Sequence, residues 1–319
     1  MAVPPALVER FKGCLLGLAV GDALGGLFEG QTSDHIMSRF RTVQSLLDHP
    51  PPETLYYTDD TQMMIGVAET LVFRGQIEEE TLCRAFVSNY VPSRGYGAGA
   101  RRVLEAMEEG RDYRRVAATH FPGGSFGNGA AMRVAPVGLL FHNEPDKAWQ
   151  QAHLSALPTH THPLGIEGAQ LLAIAVSLCL QSSVDKPGFL QALMDRCQSD
   201  AFRAKIKQAG YVNRVDQFPL LGNGIQALES VITAVTCFLV SRDSFEATVG
   251  QSIMLGGDTD TIAAMAGALA GAYLGVQSIP RHLLAKLEDD LQFKGRSYIE
   301  GLGEKLYELY ERKRGGLGT

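Results

Sequence analysis

The chain has 319 residues, of which 45% are hydrophobic and 20% charged, with a formal net charge of −6 and a pI near 5.8. That length and apolar content allow a large buried core in one or two domains. The acidic balance, with no basic stripe, excludes direct binding to a nucleic-acid phosphate backbone. Five scattered cysteines (Cys14, Cys83, Cys179, Cys197 and Cys237) form no C-x-x-C pair and sit mostly in apolar stretches. This is the usage of packed thiols in a reducing, cytoplasmic compartment. The first residues do not run from basic region to apolar core to small-residue cleavage site, so no secretory signal is expected.

Taken in order, Val8–Phe28 has a helical pattern, with Gly13, Gly17, Gly21 and Gly25 spaced by four on one face. Glycine costs helix stability, so close packing against a second helix must offset it. Gly267, Gly271 and Gly275 repeat the device, and both segments are expected to be central helices. Asp22 reads as a structural partner. Glu29 ends the first helix beside a loop, where a carboxylate can reach into a site or face solvent.

Pro50, Pro51 and Pro52 mark a loop, and Thr58 or Asp59 then caps a helix carrying Met64, Val67, Leu71 and Val72 in a stripe that Gly75 stops. Helices are expected over Glu78–Tyr90 and Ala100–Glu109, with a glycine-rich loop from Pro92 to Gly99 between them. The densest glycine loop, Phe121–Gly129, leads into a predicted helix Ala130–Leu140. Further helices are predicted over Trp149–Ala156, Leu164–Leu180, Pro187–Cys197, Ala201–Gln208, Leu221–Val240, Phe245–Met254, Pro280–Leu291 and Ser297–Arg312. Ile262–Ile279 is uncharged and long enough to raise the question of a membrane span. Its Ala and Gly content, with Pro280 and charges following, makes it a buried helix instead. No strand alternation appears. The expectation is an all-α, compact, single-domain, many-helix orthogonal bundle over 1–312, with a flexible tail at 313–319.

Two acidic clusters lie nearly two hundred residues apart: Thr58-Asp59-Asp60-Thr61 and Asp258-Thr259-Asp260-Thr261. Each opens an apolar helix. Buried carboxylates need pairing, hydrogen bonds or a metal. These are hard oxygen donors, suited to Mg2+, Mn2+ or Ca2+. Four crowded carboxylates repel, which favours two cations in one shared site over separate helix caps. The loop Gly123–Gly129 offers backbone N–H groups as an anion cradle, and it lacks the Lys-Ser/Thr ending of a Walker loop. Phe126 within it can stack on a base or fill the core. His160, in Thr159-His160-Thr161-His162, can meet a metal, donate to a phosphate or sit on the surface.

Together these stretches resemble the ADP-ribosylglycohydrolase family. The matching motifs are Phe11-Lys12-Gly13-Cys14-Leu15-Leu16-Gly17 with Gly21-Asp22-Ala23, Tyr57-Thr58-Asp59-Asp60-Thr61, Gly124-Ser125-Phe126-Gly127-Asn128-Gly129 with Met132-Arg133, Thr159-His160, and Gly256-Gly257-Asp258-Thr259-Asp260-Thr261. Tyr56-Tyr57-Thr58, Arg94-Gly95-Tyr96-Gly97-Ala98-Gly99 and Leu221-Gly222-Asn223-Gly224-Ile225 are most similar to the ADP-ribosylhydrolase 3 branch. Phe126 stands where that branch carries tyrosine.

The resemblance implies a metal-dependent hydrolase of the ribose C1″ glycosidic bond in ADP-ribosylated proteins, serine-linked, with poly(ADP-ribose) and O-acetyl-ADP-ribose as further substrates. It makes Thr58, Asp59, Asp60, Asp258, Asp260 and Thr261 ligands of two Mg2+ or Mn2+ ions. Glu29, Asp59 and Asp60 become the catalytic groups, with Glu29 also gating the site. Gly124, Ser125, Gly127, Asn128 and Gly129 face pyrophosphate and ribose beside His160, and Phe126 and Ile225 flank the adenosine. Partners would be ADP-ribosylated proteins or ADP-ribose-containing small molecules, met by a monomer, with no membrane. The alternatives are an ADP-ribosyl-arginine hydrolase of the dinitrogenase reductase-activating type, a dimetal phosphohydrolase cutting the pyrophosphate, and a non-enzymatic crystallin-like relative.

Overall fold

A computed structural model of the chain describes residues 5–49, 51–181, 185–290 and 294–316. The first half contains α1 (Leu7–Gly25), α2 (Ser33–Phe40), α3 (Val43–Leu47), α4 (Asp59–Arg74), α5 (Glu79–Asn89), α6 (Ala98–Glu108), α7 (Tyr113–His120), α8 (Ala135–Leu140) and α9 (Pro145–Ala156). The second half contains α10 (Pro163–Cys179), α11 (Lys186–Arg196), α12 (Asp200–Tyr211), α13 (Ala227–Ser241), α14 (Phe245–Met254), α15 (Thr259–Leu274), α16 (Arg281–Lys286) and α17 (Arg296–Arg314). Among the described residues no sheet forms; three isolated bridges stand alone. The architecture is the all-α helical bundle expected.

α1 and α15 are its axis. A Cβ added at Gly13, Gly17, Gly21 or Gly25 would lie 2.5, 2.4, 2.1 or 2.4 Å from the carbonyl oxygen of Gly271, Gly267, Ala263 or Thr259. The partner number falls by four as the first rises by four, so the helices run antiparallel with their backbones in contact. The glycine at each crossing is therefore obligatory, as its spacing predicted. Both helices are buried on nearly every face, and α4, α8, α10, α13, α14 and α17 pack around them. Because α1 ends at Gly25 opposite Thr259, its C-terminus lies at the N-terminus of α15. Among the described residues no helix is long and apolar enough to cross a membrane.

Several predicted elements end elsewhere. The first helix stops at Gly25 rather than Phe28, because Gly30 has positive φ and its N–H turns to the Gly257 carbonyl, 2.9 Å away. Ala130–Leu140 is helical only from Ala135, since Asn128 holds residues 131 and 132 in a turn through its carbonyl. Leu221–Val240 is helical from Ala227; 215–221 forms a 3-10 turn, and residues 222–226 cross the bundle end as a loop. Pro280–Leu291 shortens to α16, and Leu291 lies outside the described residues. The tail predicted at 313–319 is still helical at Lys313 and Arg314, while 317–319 lie outside the described residues. α2, α3 and α7 were not anticipated; Thr32, Thr42 and Asp112 cap them and are the sequence signal for them.

The contact predicts a sharp contrast between two glycines. Gly267→Ala puts a methyl 2.2 Å from the Gly17 carbonyl oxygen, and overpacking of that kind costs about 3 kcal/mol or more. Gly301→Ala in α17 meets nothing within 4 Å and gains up to about 1 kcal/mol in helix propensity. Thermal unfolding of both variants measures this: a large drop in Tm for the first and none for the second.

Candidate metal centre and substrate cleft

Asp22 joins the central helices to the first acidic cluster. It is fully buried on α1 and accepts from the Thr58 N–H at 3.0 Å and the Thr58 hydroxyl at 2.6 Å. It accepts also from the Thr61 N–H at 3.0 Å and the Thr61 hydroxyl at 2.5 Å. This supplies the hydrogen bonds a buried carboxylate needs. It also fixes the start of α4. With both hydroxyl protons turned to Asp22, the Thr58 oxygen accepts from the Asp60 N–H at 3.4 Å as the helix cap and keeps one lone pair for another partner. Asp59 and Asp60 line the neighbouring cleft.

The turn before α15 is built from Gly256 and Gly257, both at positive φ. Gly257 donates to the Gln31 carbonyl at 2.8 Å, and Gly256 pairs with Thr32, so the Glu29 turn is stitched to this one. The Asp258 N–H donates to the Asn223 carbonyl at 2.9 Å, and the Asp258 carboxylate accepts from the Asn128 side-chain amide. Asp260 accepts from the Thr261 N–H at 2.8 Å.

The two clusters meet directly: the Thr261 hydroxyl donates to Asp60 Oδ1 at 3.3 Å. Carboxylate oxygens of Glu29, Asp258 and Asp260 lie within 4.8 Å of one another. Asp60 Oδ2 is buried and has no hydrogen-bond partner among the described residues. A buried carboxylate oxygen without a hydrogen-bond partner, beside four other carboxylates, is a donor suited to a hard cation. The donor set therefore fits a divalent ion. The charges oppose each other. Burial, then Asp258, pushes Asp260 up to about 7. Burial and the charges of Asp260 and Asp22 hold Asp60 well above the ordinary carboxylate range, and burial with Asp22 and Asp260 does the same to Asp59. Burial, then Asp260, raises Glu29, and burial raises Asp258. Asp22 rises to about 7 through burial, against its own hydrogen bonds.

An ion pair outside the cluster holds the Thr58–Asp59 turn in place. Arg94, half-buried, and Glu288, buried, form a two-point pair, with Nη2 to Oε2 at 2.8 Å. Glu288 accepts from the Tyr57 N–H at 3.0 Å, and Arg94 donates to the Tyr57 carbonyl at 2.7 Å. The Arg94 carbonyl in turn accepts from the Asp59 N–H at 2.7 Å. The backbone on both sides of Thr58 is thereby clamped.

Beyond the acidic groups runs a cleft of about 420 Å3. Its walls include Ser125, Gly127, Asn128, Gly129, His160 and Ile225 from the predicted set. Phe126 and Ile225 are exposed, and an antiparallel bridge between Gly127 and Gln226 joins their segments, with Asn128 N–H to the Ile225 carbonyl and Ala227 N–H to the Phe126 carbonyl. Gly124 has positive φ and lies so close to residues 161 and 162 that a Cβ would stand 2.3 Å from the His162 nitrogen. His160 is buried, and desolvation drives it down to about 3, so it is neutral. Its Nδ1 lies 2.7 Å from the Thr159 hydroxyl. When that hydroxyl donates, Nε2 carries the proton, on the side of Gly127 and Gly129. Burial removes the surface option for His160. Met63, Gly95, Phe121 and Arg133 also line the cleft and were not singled out as site residues from the sequence. Asn223, which positions Asp258, was missed because residues 221–226 read as helix.

The model of a family described as ADP-ribosylglycohydrolase matches residues 3–316. ADP-ribosylhydrolase ARH3 of Homo sapiens is 37% identical over 350 residues, covering 96% of this chain and 94% of that protein. ADP-ribosyl-[dinitrogen reductase] glycohydrolase of Rhodospirillum rubrum is 27% identical, covering 93% of this chain and 97% of that one. A solved structure titled as an ADP-ribosylglycohydrolase-related protein complex superposes with a TM-score of 0.70 at 28% identity, covering 95% of this chain and 99% of that one.

The raised carboxylates set a pH-dependent response to metal. Burial holds Asp22 and Asp260 near 7, against an ordinary value of 3.8. Their protonated forms therefore stabilise the fold fully below about pH 4, and that stabilisation is lost as pH rises through about 7. A cation replaces it only where the groups are ionised. Mg2+ or Mn2+ should raise Tm markedly at pH 8 and little at pH 5 in a thermal-shift titration. Equal shifts at both pH values would show that the cation binds elsewhere.

Proposed function

The chain belongs to the ADP-ribosylglycohydrolase family, and from that membership we propose that it releases ADP-ribose from serine side chains of modified proteins. Family and relatives make it a glycosidase that hydrolyses ADP-ribose linkages; the serine linkage, the metal requirement and the residue roles are the proposal. One observation carries it: two acidic helix starts linked through Thr261 and Asp60 close one end of a cleft, and a glycine-rich loop lines the rest. The greater identity to ADP-ribosylhydrolase ARH3 than to the dinitrogen reductase glycohydrolase favours the serine reading over the arginine one.

Thr58, Asp59, Asp60, Asp258, Asp260 and Thr261 would hold two Mg2+ or Mn2+ ions, which when bound supply Lewis acidity and lower the pKa of a nearby water. The chain's own groups do the rest. Gly124, Ser125, Gly127, Asn128 and Gly129 receive the pyrophosphate and ribose, with neutral His160 donating from Nε2. Phe126 and Ile225 enclose the adenine, and an aromatic face at 126 survives the absence of a tyrosine hydroxyl. Asp59 orients the water and takes its proton as oxygen adds to C1″. Glu29 delivers a proton to the departing serine oxygen as the C1″–O bond breaks. That is the acid and base pairing a glycosidic bond requires. The same cut would serve poly(ADP-ribose) and O-acetyl-ADP-ribose.

Side-by-side release assays on serine- and arginine-linked peptides test this. Intact ADP-ribose should appear, faster from serine, and EDTA should stop it. AMP as product, or full activity in EDTA, overturns the scheme. Glu29→Gln should lower kcat by about 100-fold or more while ADP-ribose affinity stays within a factor of about three. Equal losses in both would make Glu29 a binding residue.

A further inference from the structure

A second concavity, of about 440 Å3, lies against the outer side of the Thr58–Asp59 turn. Tyr56, Ser93 and Gly95 are among its walls, and Arg94 and Glu288 also line it. Gly95 belongs to the substrate cleft as well, so the two spaces adjoin there. A Cβ at Gly95 would stand 3.7 Å from Asp59 Oδ1 and 3.9 Å from the Thr58 Cβ, and its φ is +88°. At this point the partition between concavity and acidic cluster is backbone without a side chain. Tyr56, 66% exposed, stands at the rim.

We propose that this concavity receives the polypeptide flanking the modified residue, an inference that rests on the hydrolase reading. ADP-ribose placed with its adenine at Phe126 and Ile225 puts C1″ at the acidic end, where Gly95 joins the cleft to the concavity. Gly95 gives the flanking chain an opening. The occupant follows from charge. Among the described residues lining the concavity, Arg94 supplies the cation, and its guanidinium is committed to Glu288, the Tyr57 carbonyl and the Tyr57 ring, 4.1 Å away. A space whose positive charge is already neutralised does not suit the pyrophosphates of a further ADP-ribose unit. An exposed tyrosine and a serine suit an uncharged peptide, the ring supplying contact area at little entropic cost.

Binding separates this from the reaction. In a Glu29→Gln background, which slows turnover, a short labelled peptide carrying serine-linked ADP-ribose is titrated by fluorescence anisotropy, with free ADP-ribose and short poly(ADP-ribose) as competitors. Ser93→Trp fills the concavity from an exposed turn, and Tyr56→Ala removes its rim. Either should weaken the peptide by about tenfold relative to any change for ADP-ribose. Equal weakening of peptide and ADP-ribose, no weakening of the peptide, or an equal loss for the polymer overturns the inference. Failure of the hydrolase reading appears separately, as absence of ADP-ribose release by the unsubstituted chain, and leaves the binding comparison decisive.

Discussion

The close antiparallel contact between α1 and α15 determines where everything else lies. Backbone meets backbone at four successive glycine positions of α1, so the register of the pair admits little variation. That register sets the end of α1 against the start of α15. Asp22, one turn before the end of α1, then collects the start of α4 through Thr58 and Thr61. Two helix N-termini far apart in sequence thus converge on one helix C-terminus. A shift of one turn between the central helices would move Asp22 and Thr259 out of line and separate the acidic clusters.

The price of this convergence is charge repulsion. Five carboxylates (Glu29, Asp59, Asp60, Asp258 and Asp260) crowd one cleft end, and the aspartates among them and Glu29 are all held above their ordinary pKa. Proteins tolerate such crowding where a cation offsets it. The surroundings are rigid in the sense that matters here. Asn128 and Asn223 restrain Asp258 from its side chain and backbone, and the Arg94–Glu288 pair restrains the turn on both sides of Thr58. Glu29 differs: it is exposed, on a turn secured through Gly30 and Gln31 to Gly257 rather than by its own side chain.

Much of this was legible in the sequence because it depends on local pattern. Glycines spaced by four declare a helix contact, and Asp and Thr before an apolar run declare a helix start. The pairing of the two acidic starts was legible from their shared composition. What remained hidden depends on partners distant in sequence. Residues 222–226 adjoin a long apolar helical run, yet the carbonyls of Asn223 and Ile225 accept from Asp258 and Asn128, which delays the start of the helix to Ala227. Ala130–Leu140 looks helical throughout, but the Asn128 carbonyl captures the first N–H groups in a turn. Nothing near Arg94 announces that its partner is Glu288, 194 residues away. The short helices α2, α3 and α7 were signalled only by single caps, which are weaker than an apolar stripe.

The central claim is that the starts of α4 and α15 form one divalent-cation site. Crystals grown with Mn2+ and ADP-ribose, measured at a wavelength where manganese scatters anomalously, test it most directly. The account predicts two anomalous peaks between Asp59, Asp60, Asp258 and Asp260, one of them coordinated by Asp60 Oδ2, with the ribose beside them. Peaks only at other carboxylates, or ADP-ribose bound in the cleft with no cation between the two helix starts, would contradict it.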